Sequence, residues 1–150
     1  MMDKIKKLRD KTGAGVMDVK KALEEAKGDM KKAEVIIRKK GLVRAVKKSD
    51  REVKSGLVYS YVHQTGKVGA LIEIACETDF VAKNDQFVNL CKEVAMQVAS
   101  MNPKNVKELE AQSYIRDSGK KVGELVKELV GKTGENMRIV RFTRYELGEI

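Results

Sequence analysis

Few residues in this chain are of types that do chemistry, and their spacing decides what they can do. The single histidine, His63, follows a strand-like run and has no nucleophile at recognisable spacing. No pair of acids stands out from the general surplus of carboxylates, so residue types for acid–base or nucleophilic work never cluster. Cys76 and Cys91 are too few for a disulfide framework and read as buried free thiols. With one histidine, a zinc site would also lack ligands. The expectation is a protein that is not an enzyme and carries no metal or cofactor.

Two stretches imitate nucleotide-binding loops. Gly131-Lys132-Thr133 looks like the end of a phosphate-binding loop, but Val126 stands where that loop requires glycine, and a helix precedes it rather than a strand. Gly13-Ala14-Gly15 begins like a dinucleotide fingerprint, yet Asp18 replaces the third glycine. The chain itself is expected to bind no nucleotide. The sharp feature that is left is Thr78-Asp79-Phe80-Val81, a carboxylate beside an aromatic, between a strand-like run and a helix. In one reading Phe80 packs under a sheet and Asp79 caps a turn; burying the ring would contribute about 1.5–3 kcal/mol. In the other, the loop is exposed and aims a wedge and a charge at a partner. The residues alone leave both open.

The elements that must position this loop are legible from periodicity. Residues 3–41 read as three short helices: Ile5 and Leu8 on the first, then Val16, Val19, Leu23 and Ala26, then Met30, Ala33, Ile36 and Ile37. Thr12-Gly13-Ala14-Gly15 breaks the first, Gly28 ends the second, Asp29 caps the third and Gly41 stops it. This is the shape of a ubiquitin-associated bundle, a likeness that does not establish ubiquitin binding. Residues 42–55 read as a basic linker. From Gly56, Leu57–His63 and Val68–Cys76 alternate as strands about the turn Gln64-Thr65-Gly66-Lys67. Leu71, Ile72 and Ile74 suggest that the second strand is interior and covered on both faces. Phe87 to Met101 follows helical spacing and ends at Asn102-Pro103; residues 106–117 are weakly patterned. A last helix carries Val122, Leu125, Val126 and Leu129 and stops near Gly131. Met137 to Leu147 closes the chain as a strand, with Ile139, Arg141 and Thr143 expected on one side. The fold class is α+β: the small bundle over 1–41, then an antiparallel three-stranded sheet with helices on one face over 56–150.

Charge is uneven. Residues 1–54 hold 18 Lys/Arg against 9 Asp/Glu, the whole net charge of +9, while the rest is neutral. An acidic partner surface is implied for the first part. That part lacks interleaved aromatics for stacking and any base-reading motif, so direct nucleic-acid binding is not expected. No apolar run approaches the roughly 18 residues needed to span a bilayer, and no continuous apolar segment opens the chain as a secretory signal would. A cytoplasmic protein without a membrane partner is expected.

Three stretches in order resemble the elongation factor Ts family: Leu8-Arg9-Asp10-Lys11-Thr12-Gly13-Ala14-Gly15-Val16-Met17-Asp18-Val19-Lys20-Lys21-Ala22-Leu23, then Cys76-Glu77-Thr78-Asp79-Phe80-Val81-Ala82-Lys83-Asn84, then Thr133-Gly134-Glu135-Asn136-Met137-Arg138. The resemblance implies a guanine-nucleotide exchange factor for the GTPase elongation factor Tu. It implies that Thr78, Asp79, Phe80 and Val81 press against the partner's nucleotide domain, Phe80 entering an apolar pocket and disturbing magnesium coordination. It also implies an N-terminal contact, here through Arg9, Val16 and Met17; from the residues alone, Val16 fits the bundle core equally well. Longer family members carry a second core subdomain and a helical hairpin beyond the region matching Ile150, to which nothing here corresponds. Short members self-associate, so a homodimer is expected.

Overall fold

Short polar side chains and glycines set the element ends of the computed structural model, which describes residues 2–149. Helices α1 (Met2–Thr12) and α2 (Val16–Glu25) are separated by a turn in which Gly13 has φ +73°, a backbone region closed to most side chains. After Gly28, the Asp29 side chain accepts from the Lys32 amide at 3.1 Å and starts α3 (Met30–Lys47). Leu8, Val19, Ala22, Leu23, Ala26 and Ala33 form a small separate core between these helices.

The third helix does not stop at Gly41. It runs to Lys47 and places Ala45 in the larger core, so α3 serves both clusters. Gly41 lies instead where α3 crosses α7 (Val122–Thr133): a Cβ built on Gly131 would stand 2.8 Å from the Gly41 Cα. Gly41 therefore continues α3 rather than stopping it, and Gly131, two residues before the end of α7, is the glycine that the close backbone approach requires. Arg38 locks the crossing, with its guanidinium on Glu124 and on Glu128, the latter at 2.9 Å.

Strands β1 (Ser55–Val62), β2 (Val68–Cys76) and β5 (Met137–Glu146) form the antiparallel sheet in the order β1-β2-β5, so β2 is the interior strand as expected. After β2 come a single helical turn, α4 (Asp79–Ala82), and α5 (Asp85–Met101), which packs across β1 and β2. Ile72, Ile74, Phe87, Val94 and Val98 fill the space between. Only that face is covered: Leu71 is 45% exposed on the other, with Val58 and Val62. The last strand is not regular either. Ile74 pairs with Ile139 and Glu73 with Arg141, so Val140 is an extra residue, a bulge that reverses the alternation. Ile139 therefore faces the core while Arg141 and Thr143 face outward, and Arg144 turns inward to donate to the Ala99 carbonyl at 3.1 Å.

The weakly patterned segment folds as α6 (Val106–Ala111) and a small hairpin, β3 (Ser113–Tyr114) with β4 (Asp117–Lys121). The buried Gln97 amide holds it, donating to the Ser113 carbonyl at 3.0 Å and accepting from the Ile115 amide at 3.0 Å. A polar anchor of this kind carries no hydrophobic period, which is why the hairpin was not readable.

Candidate functional site: the Thr78–Val81 turn

The expected loop is a capped helical turn. Thr78 keeps an extended backbone while its hydroxyl accepts from the Val81 amide at 3.3 Å, starting α4. One turn divides its residues between two environments. Val81 and Ala82 are 6% and 3% exposed and belong to the main core. Asp79 faces solvent beside Phe80, which is 83% exposed. The ring does not pack under the sheet, and Thr78 rather than Asp79 is the cap. Val81, expected among the presenting residues, is an anchor here because its side chain is the one that fills the core.

What fixes the turn lies on the other side of the sheet connection. The Glu135 carboxylate accepts from the Glu77 amide at 3.1 Å, the Thr78 amide at 3.0 Å and the Thr78 hydroxyl at 2.7 Å. The Glu77 carboxylate in turn accepts from the Asn136 amide. Asn136 is buried, and its side-chain amide donates to the carbonyls of Ser49 at 3.2 Å and Arg51 at 2.6 Å. Arg51 donates to the Gly134 carbonyl at 3.2 Å and lies 3.7 Å from the Glu77 carboxylate. Two of the sequence signatures are thus one structure. The sequence assigns Glu135 and Asn136 no individual role; their signals are membership of the third family-like stretch and a position just after the helix-ending Gly134 at φ +78°.

The N-terminal candidates sit around the first turn. The Thr12 hydroxyl donates to the Leu8 carbonyl at 2.6 Å and accepts from the Ala14 amide, and Gly13 donates to the Arg9 carbonyl. Val16 and Met17 open α2 with 44% and 61% of their surface exposed, and Arg9 is exposed on α1. Val19 and Leu23, one turn on and beyond, take the core positions that Val16 might have filled by spacing alone.

Both cysteines are buried and free. The Cys76 thiol donates to the Thr78 carbonyl at 3.2 Å, and burial, then the Glu135 charge, raises its pKa. Burial pushes the Cys91 thiol up to about 12. These are unreactive thiols that fill the core beneath the turn. Among the described residues, no group of three or more His, Cys, Asp or Glu is placed to hold a metal ion, and no helix is long and apolar enough to cross a membrane.

The fold is thus an α+β platform that anchors one helical turn from below and leaves its aromatic in water. The family description "Elongation factor TS" matches residues 77–150. Elongation factor Ts of Thermotoga neapolitana is 44% identical over 191 residues, covering 99% of this chain and 97% of that protein. The Thermotoga maritima protein of the same name is also 44% identical, with 96% of its length covered. Elongation factor Ts of Clostridium kluyveri is 49% identical over 140 residues, which is 93% of this chain and 46% of that relative. The chain belongs to the elongation factor Ts family, the nucleotide-exchange factors of translation elongation. The 191-residue span exceeds the 150 residues of the chain, so the Thermotoga relative carries internal residues without a counterpart here.

Proposed function

We propose that this chain promotes GDP release from elongation factor Tu by docking the Thr78–Val81 turn against its nucleotide domain. The observation that carries the reading is Phe80, 83% exposed on a turn whose other side is buried. An apolar ring held in water by a rigid mount contributes about 1.5–3 kcal/mol when a partner pocket takes it. Asp79 adds a carboxylate at the same point. Magnesium neutralises phosphate charge, so a wedge that shifts its supporting elements weakens GDP binding. No bond is made or broken, and the chain needs no cofactor of its own.

Linkage sets the direction. A factor that prefers the nucleotide-poor partner lowers nucleotide affinity, and incoming nucleotide lowers the affinity for the factor by the same ratio. Arg9, Val16 and Met17 would make a second contact, and the basic charge of residues 1–54 would speed encounter with an acidic surface in low salt. Neither a membrane nor direct nucleic-acid contact is needed, and the cytoplasm is the matching compartment. The division into a bundle over 1–41, a linker over 42–55 and a core over 56–150 is retained as a proposal, supported by two separate buried clusters and qualified by α3, which joins both. The open sheet face with Leu71, Val58 and Val62 supports a homodimer in which a second copy covers it.

The test is release of fluorescent GDP from elongation factor Tu with the wild-type chain and with Phe80→Ala. Fast release that the substitution abolishes is the expected result. Equal release by both proteins would remove Phe80 from the mechanism.

A further inference from the structure

We propose that Glu135 is a positioning residue for Phe80, and that with Asn136 it holds the presenting turn and the exit of the N-terminal module in one frame. The inference rests on the exchange reading above and specifies how its wedge is aimed. A four-residue helix has no stability of its own, since a single turn fixes several dihedrals for about one hydrogen bond. Phe80 contributes little to holding it, being exposed. The orientation of the ring must therefore come from the groups beneath and beside the turn.

Val81 and Ala82 supply the attachment beneath. They do not fix rotation of the segment that leads in, where the amides of Glu77 and Thr78 lie beyond the last β2 pairing and ahead of the first helical bond. Glu135 takes both amides and the Thr78 hydroxyl, at 2.7–3.1 Å. Hydrogen bonds to an ionised acceptor are the stronger kind. The Glu77 carboxylate returns the arrangement by accepting from the Asn136 amide, so each segment caps the backbone of the other. Asn136 extends the clamp to Ser49 and Arg51, just after α3, and Arg51 closes it on Gly134. Meanwhile Gly131, one turn earlier in α7, is pressed on Gly41 of α3. The end of α7 and the start of β5 thus touch both the presenting turn and helix α3 of the N-terminal bundle. Rigid presentation leaves less ordering to be done on binding.

The experiment uses the full chain with Glu135→Ala, Glu135→Gln, Phe80→Ala and the Phe80→Ala/Glu135→Ala pair. Amide hydrogen exchange of the free protein reads the clamp directly. Glu135→Ala should speed exchange at Glu77, Thr78 and Val81 and leave Ile72 and Ile74 unchanged. Glu135→Gln, which keeps one oxygen for the two backbone donors, should restore protection. Saturating GDP release should fall roughly tenfold with Glu135→Ala, as expected for about 1.4 kcal/mol of lost positioning. If Glu135 acts through the ring, the pair should be no slower than Phe80→Ala alone, because residues acting as a unit are not additive. Fully additive losses, or unchanged exchange at the three amides, would overturn the proposal. If Phe80→Ala leaves GDP release untouched, the wedge fails, and the amide-exchange result still decides whether the clamp exists.

Discussion

The Thr78 hydroxyl donates to the Glu135 carboxylate at 2.7 Å across 57 residues of sequence, and the same oxygen accepts from the Val81 amide at 3.3 Å. One side chain therefore caps a helical turn and ties it to the far side of the sheet.

Removing that hydroxyl should cost both functions at once. Thr78→Val keeps the branched shape and loses the two hydrogen bonds. A lost cap and a carboxylate with one donor fewer should destabilise the fold by roughly 1–2 kcal/mol. Urea unfolding of the two proteins checks this; midpoints that coincide would show the cap to be idle.

Phe80 and Val81 are neighbours with opposite duties, and two truncations separate them. Phe80→Ala removes an exposed ring and should change stability by less than about 0.5 kcal/mol. Val81→Ala empties part of the core and should cost about 1–3 kcal/mol. Thermal unfolding of both variants is the measurement. A large loss from Phe80→Ala would mean the ring packs in solution and is not free to dock.

The α3–α7 crossing predicts an asymmetry between two glycines. A methyl on Gly131 would meet the Gly41 backbone at 2.8–3.1 Å, whereas one on Gly41 finds its nearest neighbour at 4.0 Å. Gly131→Ala should force the helices apart and destabilise by about 1–3 kcal/mol, the range of an overpacked site. Gly41→Ala should be neutral or stabilising by up to about 1 kcal/mol, since alanine is the better helix former. Equal effects of the two substitutions would contradict the crossing.

These glycines also mark where sequence reading stopped. Periodicity placed α5 and β2 well, because Phe87, Val94, Val98, Ile72 and Ile74 face one core and repeat with it. Gly41 reads as a stop yet lies inside α3, and Gly131 reads only as the end of a helix that closes two residues later, because a glycine looks alike at a helix end and at a close crossing. The Val140 bulge was invisible for a similar reason: an extra residue changes parity without changing composition. At the Thr78–Val81 turn, residue type does not distinguish an exposed Phe80 from a buried one. The Glu135 clamp was hidden altogether, because a hydrogen bond spanning 57 residues leaves no local pattern.

A second copy on the open sheet face would require its apolar centre. Leu71 lies on the interior strand between Ser60 and Thr143 and is 45% exposed. Leu71→Glu puts a charge where two such faces would meet and leaves the covered face untouched. Sedimentation should show a dimer in the wild type shifted to monomer in the variant. A wild type that stays monomeric at high concentration would end the homodimer reading.

Buried thiols give the protein an alkaline limit, and the sign can be worked out. The Cys91 pKa rises from 9.0 to about 12, through burial first and the nearby Cys76 second. Between those values the unfolded chain has lost a proton that the native state still holds. Stability therefore falls as pH rises from about 9 towards 12, and is unaffected by this group at lower pH. Tyr114 acts in the same direction: burial first, then its bond to Glu93, moves its pKa from 10.0 to about 12. One fully differing proton makes the slope about 1.4 kcal/mol per pH unit. The informative quantity is the difference in slope between wild type and Cys91→Ala. The variant should be less stable at pH 7, having left a small void, and its stability should decline less steeply above pH 9. Tyr114→Phe should remove a smaller share, beginning nearer pH 10. Parallel declines in all three proteins, measured by guanidinium unfolding in reductant, would mean that the thiol meets solvent before it ionises.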